Sequence, residues 1–360
     1  MQKLIIPAYA LRQHRLLSDS IKKILEWLAS GNALYLSSRA SYSIKLSRTL
    51  LQYFKQLYAL YKKVDFLLAD IKQMSAIIEE EEKIRNTICS GKKWSEEDEK
   101  QLNGILVRIF GYDEGFSKSK YIHLETKPLS NGGERTSIVY SDEWPKGNNS
   151  WGAGKYLRAL RIRYCAYCNA ESVSAFDDIN GHLVSGDYSH HTAFDHFYEK
   201  TKYPFLALTL RNLVPACFRC NTMIRNAKPL NKQCLNPYDG SFDELVSFKY
   251  DKKTVEEYYW KYDPKHLLLE SRNPLLTNNN PAIVLNDEFR ILDCYKTLYD
   301  VEIGEFYRKL IWYNRHQLDG TFTSFPQLSG SIGRKFFLGV TFNKCDINLH
   351  RFGKLFLDFL

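Results

Sequence analysis

Two pairs of cysteines constrain this chain more than any other feature. Cys165 and Cys168 enclose two residues, Cys217 and Cys220 enclose two more, and 48 residues separate the pairs. Two thiolates three positions apart grip one ion through a tight turn, and two such knuckles complete the tetrahedron of soft ligands that structural zinc prefers. The four residues are therefore expected to bind Zn2+. The gap exceeds the roughly 15–20 residues of simple zinc-ribbon patterns, so an element of some substance is inserted between the knuckles.

The alternative use of cysteine, a disulfide scaffold, does not suit the rest of the chain. Eight cysteines in 360 residues are too sparse for it. The first residues, MQKLIIPAYALRQHR, lack the long apolar stretch and cleavage site of a secretory signal, and no apolar run approaches the roughly 18–20 residues that span a bilayer. The expectation is a soluble cytoplasmic protein with reduced thiols and no membrane partner. Cys234 and the isolated Cys89, Cys294 and Cys345 are read as structural.

The net charge of +9 is unevenly spread. Residues 1–164 hold 27 basic and 18 acidic side chains, residues 165–195 hold none and five, residues 196–232 hold seven and one, and residues 233–360 hold 16 and 17. The excess lies in the first half and in a window of 37 residues around the second knuckle. Such clustering suits a polyanionic partner.

Apolar residues recur at helical spacing from Ser18 to Ser30 and from Ser38 to about Cys89. Ser95, with Asp98 three positions on, predicts a helix start running to Phe110. Residues 111–154 are rich in Gly, Ser, Asn and Asp and read as loop, with a boundary near 150. Beyond Asp239 the pattern reads as helical, most clearly from Tyr295 to Tyr313. The expected architecture is α+β and mostly α-helical: a helical region over 1–150, a zinc-containing unit over 151–240, and helices over 241–360 that pack on it.

The insert carries Asp195-His196, then Arg211-Asn212-Leu213, and runs into the second knuckle followed by Asn221. Phosphodiester hydrolysis needs a base for water, a cation against the phosphate charge and help for the leaving oxygen. An imidazole suits the first task and a carboxylate offers a hard ligand for Mg2+ or Mn2+. Lys200, Lys202, Arg211, Arg219, Arg225 and Lys228 fall among these positions with only Glu199 opposing them, as a phosphate-binding surface requires. Taken singly, an Asp-His pair is usually surface and an Asn-Leu pair usually a turn.

In this order the motifs, spread over residues 158–239, resemble the HNH nuclease group of the ββα-metal fold. The resemblance implies a metal-dependent endonuclease acting on DNA. His196 would be the general base, Asp195 and Asn221 the ligands of a catalytic Mg2+ or Mn2+, Asn212 the residue that pins the loop, and the four-cysteine zinc purely structural. Leu235 to Asp239 is similar to the short element that closes such domains. The carboxy-terminal helices resemble those of anti-phage defence nucleases of the Septu and retron-linked type, which implies a defence or restriction effector working with a partner such as an ATPase. Two other readings stay open: a zinc-stabilised nucleic-acid-binding module without catalysis, and an HNH nuclease acting on RNA. A role for the adjacent His190 and His191 is the weaker expectation within the insert.

Overall fold

The computed structural model describes residues 1–40, 43–88, 94–130, 132–173, 193–226, 228–276, 279–312 and 344–359. The elements in chain order are helices α1 (Ala8–Ala29), α2 (Arg48–Lys63), α3 (Ile71–Ile88) and α4 (Glu96–Ile109), then strands β1 (Tyr121–Pro128) and β2 (Glu134–Ser141) and helix α5 (Ala153–Leu160). Strands β3 (Ala193–His196) and β4 (Leu213–Ala216) follow, and a π-helical turn covers Arg219–Arg225. The remainder comprises α6 (Phe242–Leu245), β5 (Val246–Tyr250), α7 (Val255–Tyr259), β6 (Leu267–Ser271), α8 (Pro281–Phe289), α9 (Ile291–Thr297), α10 (Asp300–Trp312) and α11 (Gly353–Phe359). The chain is thus α+β, helical over about half its length, with small two-stranded sheets.

The amino-terminal helices form for the reason their spacing gives. In α1, His14, Leu17, Ile21, Ile24, Leu25 and Leu28 fall on one buried stripe, and in α2 Leu50, Tyr53, Phe54, Leu57 and Tyr61 do the same. The α1 stripe packs on α2 and on β1, and α3 packs on α2. The Ser95 hydroxyl accepts from the Asp98 N–H at 3.1 Å, which is the cap expected for α4.

Three expectations about local structure are corrected. Residues 38–40 and 43–47 are not helical: Leu34 and Ile44 form an antiparallel bridge, and Ser47 caps α2. The Ser38–Cys89 periodicity is also broken at 64–70, between α2 and α3. The loop-like stretch 111–154 contains the β1–β2 hairpin, paired from Tyr121↔Ser141 to Pro128↔Glu134. Polar turn residues at both ends obscured the β-branched Thr136, Ile138 and Val139, and Gly132 (φ +83°) supplies a left-handed residue in the tight connection. Beyond Asp239 a further antiparallel pair, β5–β6, with α7 between its strands, comes before α8, α9 and α10.

One hydrophobic core runs from Met1 to Phe356 through all three sequence segments. The segment 207–211 is where the helical half meets the centre. Thr209 Oγ1 donates to the Phe66 carbonyl at 2.8 Å, Leu210 N–H to Leu67 at 3.0 Å and Arg211 Nη1 to Leu68 at 2.8 Å. His14 of α1 donates from Nε2 to the Leu208 carbonyl at 2.7 Å, and its Nδ1 accepts from Trp151 Nε1 at 3.1 Å. Both ring nitrogens of this fully buried histidine are used, so it belongs to the scaffold.

Burial lowers the His14 pKa to about 4 from an ordinary 6.5. The unfolded chain then binds a proton below pH 6.5 that the folded chain refuses until about pH 4, so stability is full above 6.5 and lost as pH falls toward 4. The expected loss is on the order of 3 kcal/mol for a fully buried histidine with this shift. Urea midpoints measured from pH 7 to 4.5 should fall steadily. A flat profile would contradict the neutral, buried state of His14.

Candidate metal centre and the Asp195-His196 hairpin

The two knuckles meet. Cys165, Cys168, Cys217 and Cys220 are all buried and their sulfurs lie within 4.8 Å of one another. Cys168 Sγ and Cys217 Sγ, from different knuckles, are 3.9 Å apart. Zinc–sulfur bonds of about 2.3 Å give a tetrahedron with edges of about 3.8 Å, so the cluster has the size a zinc ion needs. Burial pushes the Cys165 thiol well up, whereas at Cys168 burial is outweighed by hydrogen bonds from the other three cysteines, which hold the thiol well below its ordinary range; a divalent cation bound among them would favour the thiolate form.

The surroundings explain how the knuckles are aimed. Backbone bonds from Cys165 N–H to Glu171 O (2.8 Å) and Val173 N–H to Arg163 O (2.9 Å) fold the first knuckle into a small hairpin. Ala166 N–H donates to Pro215 O of β4 at 3.0 Å, which brings the first knuckle to the strand leading into the second. Asn169 adopts a left-handed φ of +53°, and Phe352 N–H donates to its carbonyl at 2.8 Å. From α9, the Tyr295 hydroxyl donates to Cys168 O at 2.6 Å. Helix α9 therefore reaches the first knuckle.

Between the knuckles, β3 and β4 form an antiparallel pair with Asp195 opposite Val214 and His196 opposite Leu213. The π-helical turn Arg219–Arg225 follows, and it contains Cys220 and Asn221. Asn212, fully buried at the head of β4, clamps the residue after the next from His196. Its Oδ1 accepts from Tyr198 N–H at 2.6 Å, and its Nδ2 donates to the carbonyls of Tyr198 and Leu206, each at 3.0 Å. The chain after Asp195-His196 is thereby locked to β4. The segment Leu235–Asp239 closes over the pair: Asn236 Nδ2 donates to Arg211 O at 3.3 Å, and the Tyr238 hydroxyl donates to Leu213 O at 2.8 Å.

His196 is 9% exposed. Its Nε2 lies 3.1 Å from the Ala207 carbonyl. A carbonyl only accepts, so Nε2 carries the proton and the neutral ring holds its lone pair on Nδ1. Burial, with Lys200 second, lowers its pKa to about 4, which keeps the ring neutral at physiological pH. The Tyr112 ring stands edge-on to it, 4.7 Å between centroids.

Asp195 is 4% exposed, and burial raises its pKa against the opposing pull of Arg225 and the Tyr167 hydrogen bond. The Tyr167 hydroxyl donates to Oδ2 at 2.7 Å, and Arg225 Nε stands 3.7 Å from the same oxygen. Tyr167 also stacks on Phe289 of α8, 3.9 Å between centroids. A residue inside the first cysteine knuckle thus holds the carboxylate next to the histidine.

The basic window is arranged differently from the expected phosphate surface. Arg225 is 3% exposed: it faces Asp195 and Glu199 (3.8 Å), and its Nη2 donates to the carbonyls of His196 (3.4 Å) and Phe197 (3.3 Å). Arg219 turns toward the cysteine cluster, where it contacts Cys294 Sγ and lies 5.7 Å over the Tyr299 ring. Arg211 spends one arm on the Leu68 carbonyl. Lys200 pairs with Asp113 at 2.7 Å. Lys202 and Lys228 are exposed, so these two stand most openly toward solvent. The inward cations have a common reason: a tetrathiolate zinc at the cysteine cluster would carry a charge of −2, and the buried Asp195 and half-buried Glu199 add carboxylates that need partners.

Among the described residues one further grouping of ligand-type atoms exists, Glu257, Asp263 and His266. Glu257 completes the capping box of α7 and accepts from His266 Nδ1 at 2.6 Å, while Asp263 caps the next turn. These are helix-start duties. His190 and His191 lie outside the described residues, and no helix among those residues is long and apolar enough to cross a membrane. No family model, curated protein or solved structure matches the chain.

Two contributors had little or no sequence signal. Tyr112 comes from the helical half, 84 positions before His196, and nothing local marks it. Tyr167 was visible only as a knuckle filler. Purified protein should contain about one zinc per chain by metal analysis, and Cys220→Ser should lose it with a melting temperature lower by several degrees, since one ligand of a structural site sustains folding. Asn212→Ala, which strands three backbone groups, should cost about 2–4 kcal/mol in urea denaturation while leaving the zinc in place.

Proposed function

We propose that the β3–β4 hairpin and the turn after it form an HNH-type centre of the ββα-metal kind, that the chain is a metal-dependent endonuclease hydrolysing phosphodiester bonds in DNA, and that the four-cysteine site is its structural zinc. The observation that carries this reading is the junction at Tyr167. The zinc knuckle and the Asp195-His196 strand, 27 positions apart at Cys168 and Asp195, are fastened together at a carboxylate–histidine pair. A purely structural zinc element has no need of a neutral histidine held by one nitrogen at the end of a strand.

His196 would take the proton of the attacking water on Nδ1, because Nε2–H is committed to Ala207. That bond fixes the ring plane, and Tyr112 limits its tilt. Asn212 keeps the backbone after His196 at a constant distance from β4. A hard divalent ion commonly takes only one or two protein oxygens beside substrate phosphates, and Asp195 with the half-buried Asn221 amide would provide those. When bound, such an ion supplies positive charge against the developing negative charge on the phosphate. Arg225 adds a second, permanent positive charge on the Asp195 side. The resemblance to defence nucleases extends the proposal to an anti-phage or restriction role with a partner such as an ATPase.

Supercoiled plasmid incubated with the protein and Mg2+ or Mn2+ should be converted to nicked or linear form. His196→Ala should reduce the rate by about 10²-fold or more with zinc content unchanged, the size expected for loss of a general base. Wild-type protein that leaves plasmid intact with either metal, while binding it, would support the zinc-stabilised binding module instead.

A further inference from the structure

The first half of the chain holds the larger basic excess, and the fold gathers part of it into one groove. A depression of about 400 Å³ lies between residues 38–39, the end of α4, the turn after it and β2. Arg39, Arg108, Lys118 and Lys120 line it, against Glu114 as the one carboxylate on its wall. Arg39 and Lys118 are exposed and carry no ion pair among the described residues. Arg108 is held in place, with Nε donating to Leu36 O at 2.6 Å and its guanidinium 4.1 Å over the Tyr140 ring. Lys120 faces Asp142 at 3.6 Å, a carboxylate 84% exposed and so easily exchanged.

The groove is tied to His196 by a short, stiff turn. Tyr112 packs on His196 and Asp113 pairs with Lys200, while Glu114 already lines the groove. Two residues span at most about 7 Å, which is about two nucleotide steps of one DNA strand. The turn has little freedom. A Cβ at Gly111 would meet the Tyr140 hydroxyl at 1.9 Å, and that hydroxyl donates to Arg108 O at 2.5 Å, so groove wall and turn are locked together.

We infer that this groove binds the phosphate backbone of double-stranded DNA beside the cleavage centre, with Arg39 and Lys118 as the cations that meet phosphates. The inference rests on the nuclease reading for the identity of the substrate. It places the substrate's flanking contacts in the amino-terminal half, rather than in the window of residues 196–232, where Arg219 and Arg225 are turned inward and Lys200 is paired with Asp113. Of the apolar wall residues, Ile138 is buried, Val139 and Tyr140 are half-buried and the Tyr140 ring is covered by Arg108, so charge rather than apolar surface dominates the groove.

The test uses the full chain carrying His196→Ala, which binds without cutting, and a fluorescein-labelled duplex of about 30 base pairs followed by anisotropy over a KCl series. Adding R39Q and K118Q should weaken binding about tenfold or more at 0.1 M salt. The slope of log Kd against log salt should fall by about 2, at about 0.9 per lost phosphate contact. K249Q with K261Q, which removes the same charge outside the groove, should change neither. Zinc content and the urea midpoint verify that all variants fold. Equal binding by the groove variant and its parent overturns the inference, and so does an equal loss in the K249Q/K261Q control. Tighter, equally groove-dependent binding of an RNA duplex overturns DNA as the occupant. Plasmid cleavage by the wild-type chain separates the two readings: an uncut plasmid with groove-dependent binding removes the nuclease and leaves the groove, whereas a plasmid cut equally well after R39Q/K118Q removes the groove and leaves the nuclease.

Discussion

Closure of the four thiols around one point is the constraint on which the centre of this protein depends. Knuckles separated by 48 residues come to a sulfur–sulfur distance of 3.9 Å only if the intervening chain folds back on itself. That return is the β3–β4 pair, four residues long on each side and too short to persist alone in water. Its stability comes from what surrounds it: the first knuckle bonded to Pro215, the Asn212 clamp, and the Leu235–Asp239 segment laid across its end. A small β element is thereby made rigid at the strand that presents Asp195 and His196.

Charge follows from the same closure. A tetrathiolate site, with the buried Asp195 and the half-buried Glu199, would place several negative charges in a region with little water, and the chain answers with arginines rather than lysines. Arg219 and Arg225 spread their charge over a plane and keep it at any physiological pH. Their inward position shows why a linear charge count misleads. The window 196–232 is basic on paper, yet two of its arginines serve the interior and a lysine is neutralised by Asp113.

The sequence made the cysteine site fully legible, because ligand spacing is local and the chemistry of thiolates is narrow. The α1 and α2 stripes and the Ser95 cap were also readable, since helical period and capping act within a few residues. The β1–β2 and β5–β6 pairs were hidden by polar turns and by short strands that alternate weakly. The partners of the candidate site were hidden for a different reason. Tyr112, Tyr167 and the Ala207 carbonyl act on Asp195 and His196 through tertiary packing, and no pattern within a window of the sequence encodes which aromatic ring will face which imidazole. The inward turn of Arg225 is likewise a consequence of the buried Asp195 and the half-buried Glu199 lying on either side of it.

Ala207 and Leu208 are successive residues, and their carbonyls receive two different histidines, His196 from the hairpin and His14 from α1. One peptide unit therefore separates the imidazole of the site from the longest helix of the amino-terminal half. The bond that fixes the plane of the His196 ring and the bond that anchors a 22-residue helix thus share one short stretch of backbone, so the orientation of the imidazole is built on the same support as the packing of the amino-terminal half.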